Sequence, residues 1–441
     1  MITRDRRTLE TEIRTLIGDL VEAPPDSVDL SGSMYSQGVD SLRLIVLRER
    51  LQAEVGVVFS DDEWMATTTP AGILEHAVRP RAAATPRSTS ASPTGHAPVS
   101  PIEPLTTRPG VAVEHLEIGM PLTGRNNLAE TPLLQWLGDQ RWRHVSRVLD
   151  VPSRDIVDED GERLYATFFY VEVGFPFGRP MASFGENDRF VVVSTLARFG
   201  ASMLDGVSYL VPANGNASGD VNAMSFTSVA EANASGVPAV RLSNIFVKKF
   251  EGAAWLKKGR PVHERFADIP DSTEPPDSYT IAKDAEQAGQ FGSDPDGWTA
   301  MTDGPIDREY HLVPDRDLNG AGLVYFANYP MFLDICERDV LFSAKAPLAH
   351  DVIDRRTLIR RQSAYLNNAS SRDILGVEMR PWYRLIRAAT ESSDDAMDLH
   401  LHINARMYRR SDNRLMMVSG VHKVIQGVTA ADVPFAGKPI R

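Results

Sequence analysis

The chain has 441 residues, of which 42% are hydrophobic and 24% charged, so it is long enough for two or three globular domains. Its 59 acidic residues outnumber its 47 Lys plus Arg, and the net charge of −12 argues against nucleic acid or an anionic membrane as partner. The single cysteine, Cys336, excludes an internal disulfide framework and a multi-thiolate metal site.

Residues 1–78 form the first predicted domain, a small all-α module of four short helices. Apolar residues at helical spacing predict a first helix over 6–22, and a loop rich in Pro, Asp, Ser and Gly follows it. A second helix begins at Ser41 after the N-cap Asp40, and Pro70 occupies the first turn of a last short helix.

The segment 79–110 separates this module from the rest of the chain. It contains seven prolines, many small residues and almost no large apolar side chain. Such a composition cannot bury enough surface to offset its conformational entropy, so the sequence predicts a flexible linker.

The motif at 38–42 reads Gly-Val-Asp-Ser-Leu and places the Ser41 hydroxyl at a helix start, where another enzyme can reach it. Taken alone, an Asp-Ser-Leu sequence favours the interpretation of Ser41 as a second capping residue. In its context of short helices and a tether, the module resembles an acyl carrier protein over nearly all of residues 5–78. The resemblance implies that Ser41 carries a covalent 4′-phosphopantetheine arm, added by a separate phosphopantetheinyl transferase.

The remaining chain reads as two halves, 111–290 and 291–441, with the same order of one long helix and several long strands. The predicted helices cover 130–149 and 330–341. The predicted strands cover 163–173, 188–204, 221–231 and 240–251 in the first half, and 359–367, 374–388, 397–410 and 414–426 in the second.

The second half carries a specific motif, since Asp317 through Tyr329 reads Asp-Leu-Asn-Gly-Ala-Gly-Leu-Val-Tyr-Phe-Ala-Asn-Tyr. This pattern resembles the 4-hydroxybenzoyl-CoA thioesterase family, which implies an α+β hot-dog fold in which a long helix is wrapped by antiparallel sheet. Two such halves imply a double hot dog. Asn319 stands where that family has a hydrolytic Asp, and an amide has no ionisable carboxylate, so thioester hydrolysis by that route is disfavoured.

The segments 113–122 and 163–171 resemble the bifunctional acyltransferase/decarboxylase family of leinamycin biosynthesis, the LnmK type. The resemblance implies that a malonyl or methylmalonyl group passes from CoA to an active-site tyrosine and loses CO2. The resulting acetyl or propionyl group then goes to a carrier-protein thiol for polyketide biosynthesis. The fused carrier domain would be the acceptor, with polyketide synthase components as further partners.

Two tyrosines of one predicted strand compete for the role of nucleophile. Tyr165 and Tyr170 are five residues apart, so a regular strand would turn them to opposite faces. We take Tyr165 as the nucleophile and Tyr170 as the alternative, because Tyr170 stands among more apolar neighbours. The expected donors for the phenolate and the enolate are the side chains of Thr123, Asn126, Asn127 and Asn319 and the backbone amides of 320–322.

The sequence leaves two other functions open. A thioesterase or dehydratase acting on carrier-bound polyketides would use His115, which begins a His-x-x-x-Gly pattern whose proline comes too early. A non-catalytic body that only docks an acyl-carrier is the third hypothesis. Glu130 could orient an amide or be an ordinary first-turn carboxylate. No motif indicates a metal, and the sequence has neither an apolar span nor a secretory pattern, so we expect a cytoplasmic protein.

Overall fold

The computed structural model describes residues 5–37 and 47–78 with short gaps, 106–213, 225–249, 256–344, 347–387 and 397–433. The chain separates into two compact units, residues 1–97 and 98–441. Ser41 and residues 79–105 of the predicted linker lie outside the described residues. Thr106–Arg108, at the end of the predicted linker, form a strand that pairs with Val111–Val113.

The N-terminal unit is helical, as its apolar spacing predicts. Its described helices are α1 (Arg6–Val21) and α2 (Pro70–Val78), with a π-helical turn at Leu51–Val55 and short 3-10 turns at Pro25–Ser27 and Tyr35–Gln37. Ile13 and Ile17, one turn apart on α1, are fully buried with Leu51 and Ile73. These side chains form a hydrophobic core that belongs to this unit alone.

The second unit, the body, combines six helices with one large sheet over its described residues. Its helices are α3 (Glu130–Leu149), α4 (Val229–Ala234), α5 (Asp277–Ala288), α6 (Pro314–Asp317), α7 (Tyr329–Ser343) and α8 (His350–Asp354). The strands of the first half are β1 (Thr106–Arg108), β2 (Val111–Glu117), β3 (Thr123–Gly124), β4 (Asn127–Leu128), β5 (Leu164–Gly174), β6 (Arg189–Thr195), β7 (Ala197–Phe199), β8 (Met203–Asp205), β9 (Val207–Pro212), β10 (Ala239–Lys249) and β11 (Leu256–Lys258). Those of the second half are β12 (Thr299–Ala300), β13 (Ile306–His311), β14 (Thr357–Tyr365), β15 (Ile374–Arg387), β16 (Met397–Arg409) and β17 (Arg414–Val428).

The order of strands in the main sheet is the same on both sides of its centre. The centre is the antiparallel pair β5–β14. From β5 outward the order is β10, β9, β6 and β2, and from β14 outward it is β17, β16, β15 and β13. In each half the outermost of these strands precedes the long helix, and the central strand follows it.

The two long helices share one hydrophobic core. Leu133 and Leu137 of α3 and Phe332 and Cys336 of α7 are buried in the same cluster, together with inward-facing residues of both halves of the sheet. Because apolar residues recur every three to four positions on both helices, each buries one face against the sheet. The loops that precede α3 and α7 are therefore held beside the central strands.

Three features of the first half differ from the prediction. The strand expected over 221–231 is wrong where the structure describes it, since Val229–Ala234 is helix α4 capped by the Ser228 side chain. The segment 188–204 divides into three strands, and α5 was not predicted at all. Within the described part of the chain, no helix has the length and apolar character needed to cross a membrane.

Candidate active site

A cavity opens where the two central strands of the sheet part. The β5–β14 ladder runs from Gly174 paired with Arg360 to Tyr170 paired with Ala364 and then ends. The earlier residues of β5 and the residues that follow Ala364 both line a cavity of about 410 Å³. The loop before α7 and one side of α5 complete its wall.

Nine of the 25 described residues that line the cavity are aromatic. Phe168 and Phe326 stack with ring centroids 3.7 Å apart, which joins the central strand of the first half to the loop before α7. The other aromatic lining residues are Trp142, Tyr165, Phe169, Tyr279, Tyr325, Tyr329 and Tyr365. The charged lining residues are Lys258, Lys283 and Glu286, and Lys283 donates to Glu286 over 2.7 Å.

Tyr165, the predicted nucleophile, lines this cavity and is half-buried. It pairs with Val247 on β10, and the Arg163 guanidinium lies 4.7 Å from the centroid of its ring. Within the described residues its hydroxyl makes no hydrogen bond, so the oxygen is free to meet a substrate.

Tyr170, the alternative nucleophile, is held in a closed hydrogen-bonded site. It is fully buried, donates to Glu172 over 3.0 Å and accepts from Gln362 over 2.8 Å. Burial, followed by the Glu172 charge, raises the pKa of Tyr170 well above its usual value. It does not line the cavity, and these contacts make its phenolate costly.

A β-bulge overturns the expectation that Tyr165 and Tyr170 face opposite sides. Ser243 pairs with Tyr170 while the next residue, Asn244, pairs with Phe168, so Phe169 is an extra residue in β5. An extra residue shifts the side-chain alternation by one. Tyr170 therefore packs against α5, which also bounds the cavity that Tyr165 lines.

Three other tyrosines of the wall are poor nucleophiles. Burial raises the pKa of Tyr325 to about 12, and it raises the pKa values of Tyr329 and Tyr365 further. The Tyr365 hydroxyl also donates to the carbonyl of Phe326 over 3.2 Å. A phenol held in its neutral form cannot supply the phenolate that attacks a thioester.

Asn319 lies at an exposed part of the same cavity and organises the loop before α7. Its Oδ1 accepts the backbone N–H groups of Ala321 at 2.9 Å and Leu323 at 3.2 Å. Its carbonyl accepts the N–H of Gly322 over 2.8 Å. The amides of Ala321 and Gly322 are thus consumed inside the loop, and Gly320 is not among the described lining residues. The side-chain Nδ2 of Asn319, which does line the cavity, is available to a ligand.

Sequence reasoning missed Asn368, which follows β14 and lines the cavity. It is 9% exposed, and its Oδ1 accepts the backbone N–H of Val324 at 3.1 Å and of Ala369 at 2.7 Å. The adjacent Asn367 also lines the cavity, but its Nδ2 donates to the carbonyl of Leu415 over 2.7 Å. The sequence does contain an Asn-Asn pair at the end of a predicted strand. Only the fold shows that this pair lines the cavity.

Thr123 and Asn127, expected as donors beside Tyr165, do not line this cavity. Both belong to the β3–β4 hairpin, where Asn127 has a left-handed backbone with φ of 60°. Thr123 Oγ1 donates to the carbonyl of Met120 and Asn127 Nδ2 to that of Ala182, each over 2.8 Å. Their polar atoms stabilise the hairpin and its neighbour, and the structure assigns them no place at the Tyr165 site.

Asn126 lines a second cavity of about 440 Å³ that shares no lining residue with the first. It occupies the equivalent place in the other half, between the loop before α3 and the start of β14. Eight of its 19 described lining residues are charged, and Glu130 and Asp334 among them contact the buried Arg361. Arg361, 2% exposed, contacts both oxygens of Glu130 from its Nε at 2.9 and 3.0 Å, and it reaches Asp334 at 2.7 Å.

This ionic cluster gives Glu130 a structural partner. Burial raises the pKa of Glu130, while the charge of Arg361 opposes that shift. Lys423 contacts Asp334 and Glu337, each at 2.8 Å. Because Glu130 meets Arg361 and lies away from the Tyr165 cavity, it does not orient an amide there.

The histidines lie away from the Tyr165 cavity. His115 is exposed on β2 opposite Val191, and the described lining of the cavity contains no histidine. His400 and His422 contact one another at 3.0 Å on neighbouring strands. Among the described residues, no group of three or more His, Cys, Asp or Glu side chains is arranged to hold a metal ion.

The comparisons identify the N-terminal unit. Residues 11–77 match the family model described as a phosphopantetheine attachment site. The unit is therefore a phosphopantetheine-binding carrier domain, and the covalent group implies a phosphopantetheinyl transferase as partner. The comparison with curated proteins gave no match.

Several solved structures are similar to the body. An acyl-ACP thioesterase from Bacteroides thetaiotaomicron is 11% identical, with a TM-score of 0.40, and the match covers 71% of this chain and 97% of that one. The 12:0-ACP thioesterase from Umbellularia californica is 10% identical, with a TM-score of 0.35 and coverage of 71% and 96%. The 4-hydroxybenzoyl CoA thioesterase from a Pseudomonas strain is 18% identical, with a TM-score of 0.20 and coverage of 27% and 84%.

Proposed function

We propose that this protein is an acyltransferase/decarboxylase that takes a malonyl or methylmalonyl group from CoA and loads the decarboxylated acyl group on its own carrier domain. The observation that carries the proposal is one aromatic cavity lined by both Tyr165 and Asn319, in a chain that also has a phosphopantetheine-attachment domain. Within that domain Ser41 is the proposed attachment point.

The chemistry proceeds in three balanced steps. The Tyr165 oxygen attacks the thioester carbonyl, the C–S bond breaks, and CoA leaves as its thiol with the phenolic proton. The C–C bond to the carboxylate then breaks, and its electron pair passes into the ester carbonyl as an enolate while CO2 departs. In the third step a proton from water adds to the enolate carbon and leaves hydroxide, which combines with the released CO2 as bicarbonate. The phosphopantetheine thiol then attacks the ester carbonyl, the bond to the Tyr165 oxygen breaks, and the thiol proton goes to that oxygen.

The aromatic wall favours the second step. A carboxylate that leaves water for an apolar wall loses hydration, whereas CO2 is neutral and loses little. Phe168 and Phe326 supply such a wall next to Tyr165. The enolate oxygen needs a positioned donor, and the Asn319 Nδ2 is available for it.

Hydrolysis and dehydration fit this cavity less well. Glu286 is the one carboxylate in the described lining, and it is paired with Lys283. Asn319 takes the place of the Asp of the hydrolytic motif. The described lining supplies neither an unpaired carboxylate nor a histidine, the usual general bases of these two reactions.

The matching order of strands on both sides of the β5–β14 pair supports a double hot-dog architecture for the body. In such an arrangement the halves supply one cavity each. The Tyr165 cavity has an apolar wall with free amide donors, whereas the wall of the other includes Glu130, Asp334 and Lys423, which are held in ion pairs. We assign the reaction to the Tyr165 cavity alone.

Intact-protein mass spectrometry of the phosphopantetheinylated chain tests the proposal. Separate incubation with malonyl-CoA and methylmalonyl-CoA should add an acetyl or a propionyl group, respectively, for whichever substrate is accepted. The Ser41→Ala chain should gain no acyl group on the arm. Retention of an intact malonyl-type group, or an unchanged mass with both substrates, contradicts the proposal.

Two tyrosine variants assign the nucleophile. Tyr165→Phe removes the attacking oxygen, and we expect at least a 10³-fold loss in loading rate, as on removal of an enzyme nucleophile. Tyr170→Phe is the matched control, because it deletes the same atom from the same strand outside the cavity. Equal rates for the Tyr165→Phe and wild-type chains would overturn the assignment of Tyr165.

A further inference from the structure

Two side-chain amides in the Tyr165 cavity share an arrangement that fixes which way each one points. In both Asn319 and Asn368 the Oδ1 accepts two backbone N–H groups at 2.7 to 3.2 Å. Because only an oxygen can accept those bonds, the opposite end of each amide must be the NH2 group. Neither NH2 group has an acceptor within the described residues.

The two side-chain amides accept hydrogen bonds from consecutive residues of the loop before α7. Asn319 holds the N–H of Leu323, and Asn368 holds that of the next residue, Val324. All four residues line the same cavity. The loop before α7 and the segment after β14 thus bring two oriented amide donors to one region, although 48 residues separate them along the chain.

Asn368 is the better placed of the two donors. It is 9% exposed, whereas Asn319 is exposed. The carbonyl of Asn368 accepts from Arg409 over 2.9 Å, and Arg409 is itself 7% exposed and paired with Asp412. A donor fixed in advance and shielded from water stabilises a developing negative charge more than a mobile, hydrated one.

We propose that the Asn368 Nδ2 donates to the carbonyl oxygen of the acyl group and stabilises the negative charge that develops there during attack and decarboxylation. This inference rests on the proposed function and adds to it a catalytic residue. Asn319 serves as the second, outer donor. The substrate group that Asn368 contacts is a thioester or ester carbonyl adjacent to a carboxylate-bearing carbon.

The Asn368→Asp chain separates this role from a structural one. Aspartate keeps an oxygen that can accept the Val324 and Ala369 N–H groups, but it replaces the NH2 donor by a second carboxylate oxygen and adds a negative charge. We expect a fall in kcat for CoA release from the accepted malonyl-type thioester of about 10²-fold, with KM little changed, since the bond forms in the transition state. Because the added charge costs stability where it is unpaired, we expect a lower unfolding temperature, and kcat is compared at a temperature at which both chains are folded.

Two further variants guard against misreading. Asn368→Ser removes the NH2 donor without adding a charge, and it should reproduce the fall in kcat if the aspartate chain fails to fold. Asn367→Asp should lower the unfolding temperature, because the Nδ2 of Asn367 already donates to Leu415. The comparison thus distinguishes an asparagine whose NH2 group acts in the reaction, Asn368, from a neighbour whose NH2 group makes a structural hydrogen bond, Asn367.

The outcomes are distinct. A kcat for Asn368→Asp and Asn368→Ser equal to that of the wild-type chain overturns the inference while the proposed function stands. A fall in kcat that disappears for both variants when the assay temperature is lowered well below their unfolding temperatures also overturns it, since Asn368 would then be structural. A wild-type chain that releases no CoA from either substrate overturns the proposed function itself.

Discussion

Replacing Arg361 by methionine should destabilise the body, because it leaves the buried Glu130 carboxylate without its partner. Arg361 is 2% exposed, and Glu130, whose side chain is 6% exposed, contacts it through both oxygens. Without Arg361 the carboxylate has no hydrogen-bond partner among the described residues. Breaking such a buried pair costs about 3–5 kcal/mol.

Protonation sets a ceiling on that loss. Without Arg361, Glu130 can bind a proton and become neutral. For a carboxyl group with an ordinary pKa near 4.3, this protonation costs about 3.7 kcal/mol at pH 7. The same step costs only about 1 kcal/mol at pH 5. We therefore expect Arg361→Met to lose about 3–4 kcal/mol at pH 7 and markedly less at pH 5.

Urea unfolding followed by tryptophan fluorescence measures this loss, since five of the six tryptophans follow residue 105. Arg189→Met is the control, because Arg189 and its partner Glu117 are both exposed and such a pair contributes about 0–1 kcal/mol. The Arg361→Met/Glu130→Met double variant should recover much of the lost stability. Equal losses for Arg361→Met and Arg189→Met, or a loss that does not change with pH, would refute the reasoning.

Two further predictions concern the stability of the body, one through the protonation of His144 and one through the packing of Gly138 against Phe326. Burial lowers the pKa of His144 to about 4, so the unfolded chain binds the proton first as pH falls below about 6.5. The contribution of neutral His144 to the free energy of unfolding is thus fully present above pH 6.5 and falls toward pH 4, by about 2 kcal/mol at pH 5. Urea titrations at several pH values measure it. If the free energy of unfolding of the His144→Met chain depends on pH as steeply as that of the wild-type chain, the prediction is wrong. Gly138→Ala on α3 would place a Cβ 2.8 Å from Phe326, so overpacking of about 1–3 kcal/mol should outweigh a helix-propensity gain of about 1 kcal/mol. Calorimetry should show a lower unfolding temperature and mass spectrometry slower loading, whereas a more stable chain with normal loading would show that Phe326 moves aside at no cost.

The long regular elements could be predicted from the sequence because local patterning determines them. The helix predicted over 130–149 is Glu130–Leu149, and all four strands predicted for the second half agree with their predicted bounds to within two residues. Apolar spacing decides such elements before any tertiary contact is known. The placement of Tyr165 and Asn319 in one cavity was anticipated through a family resemblance rather than through this spacing.

The errors arose where tertiary structure overrides local pattern. The extra residue at Phe169 puts Tyr170 on the same face of β5 as Tyr165, whereas a regular strand would put it on the opposite face. Nothing in the sequence Phe-Phe-Tyr indicates this bulge. The polar atoms of Thr123 and Asn127 are satisfied within their own hairpin region, which residue type alone cannot reveal. Asn368 gains its role only because β14 ends beside β5.

The pairing at the centre of the sheet makes each half of the body dependent on the other. β5 and β14 contribute five residue pairs to one another, and the hydrophobic core runs through both long helices. A gene cut between the halves would yield two fragments, each with a bare central strand and half of an opened core. Such fragments could persist only by rejoining each other or by associating with a second copy across the same edge, so this fusion converts what would be a concentration-dependent assembly into a property of a single chain.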